Sequence, residues 1–190
     1  MSLLATLKTL IGGPGAAATE PSPAGTDLLA RRERRLEVMP PDPALDARIA
    51  ENNHLLRHAR SVTSQEGEDG VIEEIFRRLK IERGWCVEFG AWDGEFHSNV
   101  RTLIRDRGWA AVFIEPDSYA FGLLTKNYAG VPDVHCFKAM VEVEGASTLD
   151  AILARSPIPR DFDFLVIDID GNDWFIWQSL KDYRPKVVMI

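Results

Sequence analysis

The chain lacks most features that would mark a secreted, membrane-spanning or nucleic-acid-binding protein. It has only two cysteines in 190 residues, and Cys86 and Cys136 fall in runs predicted to be buried strands, which favours core side chains over a disulfide or metal pair. No apolar run approaches the roughly 18 residues of a spanning helix, and the N-terminus lacks the pattern of a signal peptide. The formal net charge of -7 disfavours nucleic-acid binding, which needs a clustered basic excess. We therefore expect a cytoplasmic protein in a reducing compartment, with no integral membrane segment and no nucleic-acid partner.

The residues that are present suit one globular domain preceded by an extension. Apolar residues make up 45% of the chain and charged residues 27%, which is ordinary for a folded domain of this length. Residues 12–26 are dense in Gly, Pro and Ala, so we predict an N-terminal segment and flexible linker over 1–43. The domain is expected to span 44–190, with an outlying helix at 44–60.

Apolar runs and helical periodicities alternate along most of the predicted domain. Strands are predicted at 85–89, 110–114, 134–139, 164–169 and 186–190, and helices at 71–79, 119–128, 149–154 and 174–180. Such alternation predicts an α/β fold with a doubly wound, mainly parallel sheet of the Rossmann-like type. Ligands of such sheets bind beyond the carboxyl ends of the strands.

A glycine turn follows the first predicted strand. Gly90 and Gly94 permit tight turning and close approach of a ligand to the backbone, and Glu115 ends the next strand where a carboxylate can accept hydrogen bonds from ribose hydroxyls. The dinucleotide fingerprint is absent, because Trp92 stands where close pyrophosphate approach would want glycine. A ligand with a nucleoside but no phosphate fits this pattern better than NAD. Ser98 and Asn99 are predicted to cap the helix that follows.

These motifs together resemble the FkbM-like family of S-adenosylmethionine-dependent methyltransferases. The resemblance covers about 64–190 and rests on residues 64–65, 67–70, 88–94, 98–99, 114–117 and 167–173. It implies that the turn after the first strand holds the cofactor and that the acid after the second strand binds its ribose. It also implies methylation of an oxygen on a small-molecule or carbohydrate-like acceptor. The cofactor-binding residues that we predict on this basis are Glu88, Gly90, Asp93, Gly94, Ser98, Asn99, Glu115 and Asp117.

An acidic loop at 168–173 follows the fourth predicted strand. Asp168 and Asp170 are the predicted catalytic residues, which orient the acceptor hydroxyl or remove its proton during methyl transfer. One alternative is structural, with Asp170 or Asn172 capping the next helix. Another is that the two aspartates hold a divalent metal ion, which is not our prediction. The same pair would suit a metal-dependent nucleotide-sugar glycosyltransferase, the main rival function.

The last apolar run, 187–190, stops without the polar residues that usually follow a buried strand. We therefore expect a fold truncated after its fifth strand, because methyltransferases of this type normally add two further strands. A third hypothesis follows, in which the chain is a non-catalytic remnant that binds a cofactor or docks on a partner. The sequence leaves the oligomeric state and the acceptor undetermined.

Overall fold

A five-stranded parallel sheet forms the centre of the protein. The structure is a computed structural model, and it describes residues 54–169 and 171–190. The strands are β1 Trp85–Phe89, β2 Ala110–Ile114, β3 Val134–Phe137, β4 Phe164–Ile167 and β5 Val187–Met189. They lie in the order β3-β2-β1-β4-β5, and every neighbouring pair is parallel. This arrangement confirms the predicted doubly wound, Rossmann-like α/β fold.

Helices cover both faces of the sheet. They are α1 Glu68–Leu79, α2 Arg101–Arg107, α3 Ser118–Asn127, α4 Leu149–Leu153 and α5 Asp173–Ser179, with a short 3-10 helix at Leu56–His58. Buried residues of α1, α2 and α3 pack against one face, where Cys86 and Phe113 point. Those of α4 and α5 pack against the other face, where Val87 and Phe89 point. The chain changes faces because the strand order reverses beside β1, which places a crevice between the ends of β1 and β4.

The strands are buried because their apolar residues face helices on both sides. β1 and β2 each bury four of five residues, and β4 buries all four. On the first face, the Phe76 ring lies edge-on to Trp109 and Phe164, at centroid distances of 4.7 and 5.5 Å. Cys86 is buried, Cys136 is half-buried, and both thiols are free. This is the core role predicted for them.

The predicted and observed elements differ by one to three residues at several ends, and the helix predicted at 71–79 begins three residues earlier, at Glu68. β3 and β4 end two residues earlier than predicted, because the residues that follow leave the sheet to form the loops described below, and β5 ends one residue earlier. The helix predicted at 44–60 is wrong over 54–60, where only the 3-10 turn forms. The rest of that segment, the predicted linker at 1–43 and Asp170 lie outside the described residues. No described helix is both long and apolar enough to cross a bilayer.

Candidate functional site

The turn after β1 lies directly against the end of β4. Gly90 has φ +76°, and a Cβ atom there would stand 2.0 Å from the carbonyl oxygen of Asp168. The amides of Gly90 and Ala91 donate to the carbonyl of Ile114, at 3.2 and 3.4 Å. Glycine is therefore required because a neighbouring strand end approaches the turn. The sequence alone had suggested a ligand as the approaching group.

Gly94, the second glycine of the turn, lies against α3. Its φ is +71°, and a Cβ atom would stand 2.6 Å from the ring of Tyr128 and 2.7 Å from Leu124. The Tyr128 hydroxyl donates to the Gly94 carbonyl at 2.6 Å. Between the two glycines, the Asp93 carboxylate accepts from the amides of Glu95 and Phe96 at 2.9 and 2.7 Å. The turn is thus a fixed element before any ligand binds.

Glu115 joins the turns that follow β1 and β2. Its side chain is buried, and its two oxygens accept from the amides of Trp92 and Asp117, both at 2.8 Å. Trp92 has φ +49°, a conformation that non-glycine residues adopt only when the surroundings hold it. The structure therefore brings together the two features that the sequence had paired, the glycine turn and the strand-end acid. A role for Glu115 in ribose binding stays a prediction.

Asp117 caps α3. Its Oδ1 atom accepts from the amides of Ala120 and Tyr119 at 2.9 and 2.8 Å. These two hydrogen bonds favour the charged form and hold the pKa of Asp117 below its ordinary value. The carboxylate thus has a structural role, and the predicted contact with a cofactor stays a prediction.

Glu88 is a buried carboxyl group near the carboxyl end of β1. Oε2 accepts from Ser98 Oγ at 2.7 Å, and Oε1 accepts from the Asn99 amide at 2.8 Å. Burial raises the pKa of Glu88 to about 7. The nearby negative charges of Asp168 and Asp69 also raise this pKa, whereas the hydrogen bonds from Ser98 and Asn99 lower it. The group therefore titrates near neutral pH, far above an ordinary glutamate.

Ser98 Oγ accepts from the Val100 amide at 3.3 Å, just before the helix, but neither Ser98 nor Asn99 caps the helix itself as predicted. α2 begins at Arg101, and its N-cap residue is Val100, which makes no side-chain cap bond. Both predicted residues instead hold Glu88, so the segment before α2 is anchored to β1. Among the described residues, the buried Asn99 Oδ1 atom has no hydrogen-bond partner.

Asp69 has a role that the sequence did not reveal. An acid in the first turn of a helix is already accounted for by its interaction with the helix dipole, so nothing in the sequence indicated a further contact. Its Oδ2 atom accepts from the amides of residues 62–64, at 2.7 to 2.8 Å, and from Ser64 Oγ at 2.7 Å. Thr102 Oγ1 donates to the other oxygen at 3.1 Å. Burial opposes the charge, but these hydrogen bonds outweigh it and lower the pKa of Asp69. The loop before α1 is therefore fastened to α2, beside the segment that holds Glu88.

The acidic loop after β4 is organised by Asp173. Its two oxygens accept from the amides of Ile169 and Gly171 at 3.0 and 2.9 Å. Asn172 occupies the N-cap position of α5 but makes no side-chain cap bond, so capping by Asn172 is wrong. Asp168 is exposed at the strand end, and its amide donates to the Phe89 carbonyl at 3.4 Å. Asp170 lies outside the described residues, so the catalytic roles predicted for Asp168 and Asp170 stay predictions.

The described residues contain no group of three or more His, Cys, Asp or Glu side chains arranged to hold a metal ion. That statement does not cover Asp170, half of the Asp168–Asp170 pair. The metal-binding alternative at this pair is tested below by chelation.

Two adjoining cavities lie at the carboxyl ends of the strands. The smaller, of about 30 Å³, is lined by Phe89, Gly90, Ile114, Pro116, 139–141 and Ile169. The larger is an open cleft of about 660 Å³, lined by 140–144, Ile169, Gly171, Asn172 and Ile176. They share Met140, Val141 and Ile169, so they form one crevice. Its position is where doubly wound α/β proteins bind their ligands.

No protein-family profile and no curated protein matches the chain. Solved structures with a similar fold include a sarcosine dimethylglycine methyltransferase, so named provisionally, from Galdieria sulphuraria (13% identity, TM-score 0.44, 62% of this chain and 41% of that one). A Klebsiella pneumoniae protein provisionally named O-methyltransferase has 22% identity and a TM-score of 0.42, over 85% and 67% of the chains. An Aquifex aeolicus SAM-dependent methyltransferase has 11% identity and a TM-score of 0.40, over 77% and 69%.

The chain thus spans 41% to 69% of the length of these three structures. TM-scores below 0.5 at such identities do not define a common activity.

Proposed function

We propose that this protein is an S-adenosylmethionine-dependent methyltransferase of the FkbM-like type. Its proposed reaction is methylation of an oxygen on a small or carbohydrate-like acceptor. The observation that supports this most is the link between Glu115 and the glycine turn, in which a buried strand-end carboxylate is bonded to the Trp92 amide. A carboxylate at this position in a doubly wound fold is placed for ribose hydroxyls.

The connection between β1 and α2 favours a cofactor without phosphate. Pyrophosphate in dinucleotide-binding folds sits at the N-terminus of the helix that opens directly after the glycine turn. Here residues 90–100 separate β1 from α2, and the Asn99 amide near that helix start already donates its hydrogen bond to Glu88. A nucleoside carrying a sulfonium needs no such clamp, which fits the adenosyl cofactor better than NAD.

The predicted cofactor residues surround the turn from several sides. Gly90, Asp93 and Gly94 form the turn, and Glu115 and Asp117 follow β2. Glu88 lies in β1, where it contacts Ser98 and Asn99.

The smaller cavity, of about 30 Å³, has room for little more than a water molecule. Binding of a purine there therefore requires outward movement of 139–141, where Met140 is already exposed.

The proposed chemistry needs little more than alignment and a proton acceptor. When bound, S-adenosylmethionine supplies a methyl group on a positively charged sulfur that leaves as a neutral thioether. The protein must hold the acceptor oxygen in line with that methyl carbon, since alignment can lower the barrier substantially. Asp168 or Asp170 is the proposed group that takes the hydroxyl proton as the new carbon–oxygen bond forms. The chain's acidic charge favours a small acceptor over a nucleic acid.

Titration calorimetry with competing cofactors tests this proposal. S-adenosylmethionine and S-adenosylhomocysteine are expected to bind, and NAD or a UDP-sugar with Mn²⁺ is not. Glu115→Ala is expected to weaken binding of S-adenosylhomocysteine by about 10- to 150-fold, because the ligand would lose a charged hydrogen-bond partner. Glu82→Ala is the control, because Glu82 is exposed ahead of β1, at the opposite edge of the sheet.

Circular dichroism of both variants separates lost binding from lost folding. Tight binding of the UDP-sugar with Mn²⁺, and none of the adenosyl ligands, would replace this proposal with the glycosyltransferase alternative.

A further inference from the structure

The larger cleft carries two carboxylates with no partner in the part of the chain that the structure describes. Glu142 and Glu144 line its β3 side, and both side chains are exposed. Neither carboxylate makes a hydrogen bond or ion pair with another described residue. The other described residues of the lining include no Lys or Arg, and much of that lining is apolar, including Met140, Val143 and Ile176.

Both walls of the cleft are held in place by hydrogen bonds. On the β3 side, the Glu142 amide donates to the Ser147 carbonyl at 3.0 Å, and Glu142 forms a short parallel bridge with Thr148. On the β4 side, Asp173 holds the amides of Ile169 and Gly171. Preformed concave sites with apolar walls and a few fixed polar groups are typical of small-molecule binding.

Basic side chains of the same region are engaged elsewhere. The Lys138 ammonium donates to Ser118 Oγ on α3. The Arg155 guanidinium lies over the Phe137 ring, 4.7 Å from its centroid. The charged residues among those described in the lining are therefore the two glutamates, and both are acidic.

We infer that the acceptor bound in this cleft is a small molecule with a protonated amine beside an apolar face. This inference rests on the proposed methyl transfer and defines its substrate class more closely. The amine would pair with Glu142 and Glu144, while the apolar face would lie against Met140 and Val143. A cleft of about 660 Å³ lies within the range of roughly 300 to 1,000 Å³ that holds drug-sized ligands. Acceptors bearing carboxylate or phosphate groups are disfavoured by like-charge repulsion.

Three hexyl glycosides whose sugars are positively charged, neutral and negatively charged test the inference. The probes are hexyl glucosaminide, hexyl glucoside and hexyl glucuronide, titrated into the full chain with and without S-adenosylhomocysteine, in mildly acidic low-salt buffer. The aminated probe is expected to bind about tenfold more tightly than the glucuronide, from two exposed ion pairs. High salt should reduce this difference, because exposed charges are screened.

A pair of double variants identifies the charges responsible. Glu142→Gln with Glu144→Gln is expected to bring the amine and glucuronide probes to within about twofold of each other. The control, Glu82→Gln with Asp133→Asn, removes the same charge from exposed residues at the other edge of the sheet and is expected to keep the preference.

The inference is overturned if none of the probes binds, if the glucuronide binds as well as the amine, or if the Glu142 and Glu144 variants keep the preference. Those outcomes do not contradict the proposed function as long as the protein still binds S-adenosylhomocysteine. Failure of the adenosyl ligands to bind would instead overturn the proposed methyl transfer, whichever hexyl glycoside the cleft prefers.

Discussion

Glu88 should make the stability of the protein fall as pH rises toward neutrality. Its pKa is about 7 in the folded protein, against an ordinary value of 4.5. Between these values the folded chain keeps a proton that the unfolded chain has released, so raising the pH favours unfolding. The pKa differs by about 2.5 units between the two states, and each unit corresponds to about 1.36 kcal/mol, so the free energy of unfolding should fall by about 3 kcal/mol across this window. Above about pH 7 the contribution levels off.

The substitution Glu88→Gln isolates this effect. A glutamine amide can accept from the Asn99 amide through its oxygen and donate to Ser98 Oγ through its nitrogen, so both contacts survive without a titrating group. Urea unfolding from about pH 5 to pH 8 should show wild-type stability falling by roughly 2 to 3 kcal/mol relative to the variant. Carboxylates with lowered pKa values, such as Asp69 and Asp173, lose their stabilising effect only below this window.

The difference between wild type and variant cancels contributions from every other titrating group. Glu82→Gln serves as the control for a charge change, because the Glu82 side chain is exposed. A difference curve for Glu88→Gln that is flat, or no steeper than that of the control, would refute the reasoning, because Glu88 would then titrate alike in the folded and unfolded chains.

Three further predictions follow from the site. Gly90→Ala should lower the free energy of unfolding by about 2 kcal/mol or more beyond Gly130→Ala, because both glycines have φ +76° but only Gly90 meets another backbone; equal melting temperatures would contradict this. Asp69→Asn should lower the free energy of unfolding by about 1 to 3 kcal/mol and speed hydrogen exchange at the amides of residues 62–64, which donate to Asp69. Unchanged exchange would show that the loop is ordered without Asp69. Asp168→Asn or Asp170→Asn should lower turnover about 100-fold or more with little change in cofactor affinity, whereas activity abolished by a chelator would favour the metal alternative.

The sequence by itself determined the class of fold and the places where chemistry would gather. Parallel strands buried on both faces are mostly apolar runs, so the starts of the first four strands could be predicted from the order of residues alone. Glycines and acids after such runs must lie at one edge of the sheet, because parallel strands end on the same side. The sequence alone therefore places Gly90, Glu115 and Asp168 at the same edge of the sheet.

The tertiary structure decided which polar groups meet. Ser98 and Asn99 look like caps from local sequence, and only the burial of Glu88 beneath them shows the contact that they make. Glu142 and Glu144 carried no motif, although their place just beyond β3 was a signal that strand-end reasoning could have used. Contacts of this kind depend on the order of strands in the sheet, since β1 lies between β2 and β4. Local propensity acts over a few residues, whereas these contacts join segments that folding brings together from distant parts of the chain.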